Sequence, residues 1–226
     1  MNYSANPPKH YTSPNTLNTS TQQNEQKVDQ RKLSAEKLES IRQAVIELFS
    51  SQAFRDVGLR DVCKKAGITP KTVYKYFGNK DALVIRAIAP DLEIFFDSLE
   101  AIEQTDKPLE EKFKDYSYRY FDFYFSNLPL ARIVFLYIPS AYFTTKPEFV
   151  QTRSLGVMSR MIVEGQKSGQ IRDDVEAAEL VDAMAAIAMR RMFRLLSDDQ
   201  IERDARVEQE RQTRLLEPLL GLQQSS

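Results

Sequence analysis

The sequence of 226 residues contains one cysteine, one histidine and only seven glycines. The single thiol, Cys63, permits no intrachain disulfide and points to a reducing compartment, the cytoplasm. His10 stands alone in a polar stretch, which speaks against a histidine-cluster metal site and against a catalytic dyad or triad built on histidine. Glycine occurs at about half its usual share, so folds rich in tight turns are disfavoured. Neither GxGxxG nor GxxxxGK[ST] occurs, which leaves no glycine loop to cradle a phosphate. No run of 18 apolar residues predicts a membrane span, and no fixed-period repeat is present. No spaced set of acids, bases or ligands marks an active site, so no catalytic residue, cofactor or metal is expected. The formal net charge is only −1, which by itself argues against a nucleic-acid binder.

Ser, Thr, Asn, Gln and Pro fill 18 of the first 26 positions. Such a stretch has too little apolar surface to offset its ordering entropy, and it lacks the apolar core of a secretory leader. Residues 1–33 therefore read as a disordered polar tail. From Ser34, a candidate N-cap, Leu38, Ile41, Val45 and Leu48 recur at helical spacing. Leu59 to Ala66 predicts a second, short helix with Leu59, Val62, Cys63 and Ala66 inward, ended by Gly67. Thr69 can cap a third helix with Pro70 in its first turn, and Val73 and Phe77 form its inner pair. Gly78 stops that helix, and Asn79 can cap a fourth from Lys80. Beyond it lie long helical patterns punctuated by Pro90, Pro108, Pro129, Pro139, Pro147, Gly169 and Ser197, with Pro90 a candidate kink rather than an end. Tyr116 to Tyr120 alternates like a strand, but Leu109, Phe113, Tyr116, Tyr120, Phe123 and Tyr124 fit a helix. With no turn signals and no partner strand, helix is the expectation.

Residues 59–77 thus predict helix, glycine turn, helix, the arrangement whose second helix enters a DNA major groove. Its outward positions carry Lys71, Thr72 and Lys75, and residues 60–80 hold six basic side chains against Asp61 alone. Tyr74 and Tyr76 can each offer a hydroxyl to phosphate. The plain alternative is a small three-helix globule with a solvated basic face.

Over residues 38–88 the sequence resembles the tetracycline-repressor (TetR) family of transcriptional regulators. The carriers are Ile41 to Phe49, Phe54, Arg60-Asp61-Val62-Cys63, Ala66-Gly67-Ile68-Thr69, Thr72-Val73-Tyr74-Lys75-Tyr76-Phe77 and Asn79-Lys80-Asp81-Ala82-Leu83. The resemblance implies an all-α, homodimeric regulator: a helix-turn-helix DNA-binding domain over residues 34–80, then a helical effector-binding and dimerisation domain over 81–226. It places Thr69, Pro70, Lys71 and Thr72 against bases, Arg60 against a base or phosphate, and Tyr74, Tyr76 and Lys80 against phosphates. Lys80, at a helix start, would be aided by free backbone N–H groups. Where the family commonly has Ser or Thr to start the second helix, this chain has Gly58, which offers no hydroxyl. Cys63 stands where alanine is common and reads as a small core residue.

In the C-terminal half, 12 of the 23 aromatics fall between Phe113 and Phe143. They read as core or, with the family resemblance, as a pocket for a small lipophilic or aromatic effector. Tyr120, Phe121, Tyr124, Tyr137 and Phe143 are candidate lining residues, and Arg132 a candidate for an effector carboxylate or phosphate. Val181, Met184, Ala185, Ala188, Met192 and Leu195 form one apolar stripe, and Leu215 and Leu219 lie on a second. Both resemble the family's dimer interface, a four-helix bundle across a twofold axis, against the alternative of packing within the chain. Arg190, Arg191 and Arg194 read as a solvated face.

The expected function is a repressor released from operator DNA by its effector. The alternatives are a helical enzyme acting on a hydrophobic substrate and a dimeric adaptor without sequence readout. Charge separates the two halves: residues 27–80 carry 12 Lys and Arg against 6 Asp and Glu, whereas residues 81–226 carry 18 against 25. The neutral average is two opposed domains cancelling, and the basic one is suited to phosphates.

Overall fold

The computed structural model describes residues 33–50, 56–138 and 151–222. The tail to residue 32, Phe54, Pro139, Phe143 and Pro147 lie outside them. Among the described residues the chain is all-helical, with nine α-helices, one π-helical turn and no strand. No helix among them is long and apolar enough to cross a membrane.

Helix α1 spans Ala35–Phe49, with the Ser34 side chain accepting from the Lys37 N–H at 3.3 Å. It buries Ile41, Ala44, Val45 and Phe49, a single stripe of its surface. Helix α2, Leu59–Ala66, has Gly58 at its N-cap. The Asp61 carboxylate accepts from the Gly58 N–H at 2.7 Å, so a first-turn acid supplies the reach-back contact that secures the helix start. Gly67 takes φ 59° and ψ 41°, a left-handed conformation that glycine adopts without steric cost, and the Ile68 N–H returns to the Cys63 carbonyl at 3.0 Å. That reversal throws α3, Pro70–Tyr76, across α2. Thr69 caps α3 through the Thr72 N–H at 3.2 Å, and Asn79 caps α4 through the Ala82 N–H at 2.8 Å.

Helix α4, Lys80–Glu103, packs on α1 near its start and then enters the C-terminal core. Pro90 does not end it. Pro90 is exposed, as is Arg86 one turn back, so the ring stands on the solvent side of α4. α5 spans Leu109–Ser126, so the Tyr116–Tyr120 stretch is helical. α6, Leu128–Arg132, runs into the π turn Ile133–Tyr137, which no sequence signal announced. α7 is Gln151–Lys167, α8 Ala177–Ser197 and α9 Ala205–Leu220. α9 lies along α5, α7 along α8, and α4 touches both α5 and α7. One continuous core runs from Ile41 to Leu220 through both halves.

Candidate functional site

In the head, anchors and exposed side chains separate cleanly. Val73 is fully buried and Phe77 nearly so, both packed beneath α3. Above them Thr69, Pro70, Lys71, Tyr74 and Lys75 are exposed, joined by Arg60 and Lys64 from α2. Thr72 and Tyr76 are half-buried. The Thr72 hydroxyl lies 3.0 Å from that of Thr69, and the Lys75 ammonium sits 4.9 Å over the Tyr76 ring. Arg60, Lys64 and Lys71 make no ion pair among the described residues, while the nearby acid, Asp61, is held by the Gly58 N–H. Two other lysines brace the head instead: Lys37 donates to the Gly67 carbonyl at 2.8 Å and Lys65 pairs with Glu47. The outcome is a polar, basic ridge on a rigid apolar base, shaped to enter a groove lined by phosphates.

Lys80 departs from the exposed phosphate contact the sequence suggests. It is half-buried, donates to the Val57 carbonyl at 2.8 Å and lies 5.0 Å over the Tyr137 ring. It therefore ties the start of α4 to the chain leading into α2, and two of its three N–H donors remain.

One cavity among the described residues of the C-terminal half measures about 50 Å³ and is bounded by α4, α5, the π turn, α7, α8 and α9. Tyr120 and Tyr124 line it, with Phe95 and Phe96 of α4 and Phe135 of the π turn. Phe135 meets Tyr124 edge to face at 4.8 Å, an arrangement that aromatic quadrupoles favour. The lining also includes Tyr116, Ser154 and Gln212, which aromatic clustering did not single out. Phe95, Phe96 and Gln212 carry no local signal, because they come from helices distant in sequence.

Three expected lining residues lie elsewhere. Phe121 faces a groove between α8 and α9, because one helical position rotates a side chain by about 100° from Tyr120. Arg132 donates to the Ser50 carbonyl at 2.6 Å and approaches Asp199 at 3.8 Å. Tyr137 donates to Asp81 Oδ1 at 2.6 Å and packs edge to face on Phe49 at 4.8 Å. Both join α6 and the π turn to the DNA-binding head.

The apolar stripe of α8 also needs correction. Val181, Met184, Ala188, Met192 and Leu195 are buried by the chain itself, and Ala185 and Ala188 line the cavity. The opposite stripe of α8 is exposed and carries Glu179, Asp182, Ala186, Arg190 and Arg194. On α9, Leu215 is half exposed at 50% and Leu219 partly buried. Arg191 is not merely solvated. It pairs with the buried Glu208 through two hydrogen bonds of 2.6 Å, and Arg211 adds a third of equal length. Burial pushes the Glu208 carboxyl up, but the Arg191 and Arg211 guanidiniums outweigh it and hold the group below its ordinary value.

These features define a helix-turn-helix DNA-binding protein with a helical partner domain. Residues 41–87, from within α1 to the first turns of α4, match the sequence model described as bacterial regulatory proteins, tetR family. Over that stretch the chain is similar to the TetR family of DNA-binding transcriptional regulators. Solved structures agree on the fold. The fatty acid degradation regulator FadR from Bacillus halodurans is 18% identical with a TM-score of 0.69, covering 86% of this chain and 100% of that one. FadR from Bacillus subtilis, solved with stearoyl-CoA, is 18% identical with a TM-score of 0.67, covering 78% and 96%. A putative TetR-family regulator from Syntrophomonas wolfei is 19% identical with a TM-score of 0.67, covering 82% and 95%. No curated protein matches the chain in sequence.

Proposed function

We propose that the chain is a homodimeric repressor that leaves its operator when a small lipophilic effector occupies the ring-lined cavity. Residues 34–80 form the DNA-binding head and residues 81–226 the effector-binding and dimerisation domain, with α4 extending from the first into the second. Arg60, Thr69, Pro70, Lys71, Thr72, Tyr74, Lys75 and Tyr76 provide the DNA face, and Lys80 positions it from behind. The observation that carries the reading is the continuity of the π turn. Phe135 lines the cavity, and two residues on Tyr137 bonds to the first turn of α4. A ligand that turns Phe135 therefore acts on the helix that follows the recognition helix. Such an effector lowers operator affinity only through its differential affinity for the two arrangements. One of the similar folds was solved with stearoyl-CoA, so acyl compounds are the first class to test.

For the dimer, the exposed stripe of α8 is self-complementary. Its N-terminal half is acidic at Glu179 and Asp182, its centre is Ala186 with half-buried Ile187, and its C-terminal half is basic at Arg190 and Arg194. Antiparallel pairing across a twofold axis sets each acidic end against a basic one. Leu215 and Leu219 on α9 extend the patch. Sedimentation of wild type, Arg190→Glu and the double variant Arg190→Glu with Asp182→Arg tests this pairing. The single change should shift the species towards monomer and the second should restore the dimer; equal sedimentation of all three would reject it. Operator release is tested separately, by titrating acyl compounds into the protein–operator complex. Dissociation at saturating ligand is expected, and retention with every ligand that binds the protein would refute effector control.

A further inference from the structure

Helix α5 turns more than rings to the cavity. Ser117, Tyr120 and Tyr124 follow one another at spacings of three and four, so they share one face of the helix, and all three line that space. A serine inside a helix commonly returns its hydroxyl to a carbonyl one turn back. Ser117 does not, and its hydroxyl and those of Tyr120 and Tyr124 have no hydrogen-bond partner among the described residues. Tyr116 is the contrast: its hydroxyl lies 3.1 Å from the Ser154 carbonyl and 2.5 Å from Ser154 Oγ. Ser117 is 3% exposed and Tyr124 2%. Yet among the described residues the one buried side-chain oxygen or nitrogen that lacks a partner and is also sealed from water is Gln212 Oε1. The unpartnered hydroxyls of Ser117 and Tyr124 are therefore open to a molecule the size of water, and the space that these nearly buried residues line is this cavity. Tyr120 is half-buried and meets Tyr124 edge to face at 5.2 Å. Burial raises both phenols well above their ordinary value, so each keeps its proton at physiological pH and can donate it to a hydrogen bond. Hydroxyls enclosed in this way find their partners inside the cavity or not at all.

We infer that the effector is a compact lipophile bearing a carbonyl group, whose oxygen is held by the hydroxyl stripe of α5, Ser117, Tyr120 and Tyr124. The inference rests on the reading of this cavity as the effector site. A carbonyl oxygen has two lone pairs and no proton, so it accepts from two donors at once and brings no donor of its own to be satisfied. A pure hydrocarbon of the same outline would displace water from the hydroxyls and give them nothing in return. Phe95, Phe96 and Phe135 supply the apolar contact for the rest of the ligand. A space of about 50 Å³ suits a compact group as the cavity stands.

The test is calorimetric titration of the full chain with cyclopentanone and with methylenecyclopentane, which share an outline and differ in carrying C=O or C=CH2. The ketone should bind roughly tenfold more tightly than the alkene. Ser117→Ala and Tyr124→Phe each remove little more than an oxygen. Each should weaken the ketone about threefold and leave the alkene unchanged, and the double variant should bring the two ligands to within about twofold of each other. Equal binding of the two by wild type would show that the hydroxyls are served by water alone. That result, or a ketone preference that survives the double variant, would overturn the inference while leaving the cavity as the effector site. Ala185→Leu, which intrudes on the cavity, separates the two readings. If neither ligand binds wild type, or if binding is unaffected by Ala185→Leu, the placement of the effector in this cavity falls and the inference with it.

Discussion

Val73 and Phe77 hold α3 from beneath while Lys71 and Tyr74 stand above them in solvent. Around the cavity no such division exists: Phe95, Tyr124 and Phe135 are packed on one another and also form the wall a ligand would touch. The head can therefore change its DNA-facing side chains without changing its fold, whereas a new cavity specificity must be built by repacking. The same contrast bears on motion. The head is braced within itself by Lys37, Lys65 and Lys80, and it meets the rest through a shared apolar core, with Phe49 against Tyr137, Arg42 on Asp91 and Arg132 on the Ser50 carbonyl at the joint.

The largest expected effect comes from putting a charge under the recognition helix. Val73→Asp leaves a carboxylate buried without a partner and should cost about 3 kcal/mol or more, enough to abolish operator binding. Calorimetry with a cavity ligand should find effector affinity retained; its loss as well would show that the two regions do not separate. Glu208→Gln is next, at about 2 kcal/mol by thermal melting, because Arg191 and Arg211 lose their shared carboxylate but remain partly solvated. The folded-state pKa of Glu208 lies below its unfolded value. Its contribution is therefore present above the unfolded value and lost as pH falls through the folded one. The Gln variant should accordingly show a flatter stability profile in acid than wild type; parallel profiles would deny the carboxylate this role.

Smaller effects sharpen the comparison at the joint. Tyr137→Phe removes one hydrogen bond, about 1 kcal/mol. It should leave the affinity for a cavity ligand unchanged and reduce the factor by which that ligand weakens operator binding. An unaltered factor would remove Tyr137 from the coupling. Lys80→Met is expected to change the salt dependence of operator binding least of all, because its ammonium is turned to the Val57 carbonyl. A fall of the salt slope by about 1 would show that the side chain swings out to a phosphate in the complex.

This contrast also explains what the amino-acid order could tell. The head was legible almost to the residue, because its signals are local: Thr69 and Asn79 as caps, Gly67 for the left-handed turn, Pro70 in a first turn. Helix periods likewise located α5, despite its strand-like aromatics, and α8. The cavity was legible only as a cluster of rings. Tyr120 and Tyr124 could be named because they share one helix face, but Phe95 and Gln212 join them through tertiary packing that no short-range pattern encodes. The same limit misplaced Tyr137 and Arg132, whose partners Asp81 and Ser50 lie more than fifty residues away. It also misassigned Met184 and Met192, since an apolar stripe does not reveal whether its own chain or a second copy covers it.

The measurement that bears most directly on the account is a selection of binding sites from random duplex DNA, run in parallel with wild type and Lys71→Ala. Wild type should return one near-palindromic motif, and the variant a motif altered at symmetry-related positions, each lost base contact being worth about 1–3 kcal/mol. Recovery of no motif by wild type, or of identical motifs by both proteins, would contradict the assignment of the α3 face as the reader of DNA sequence.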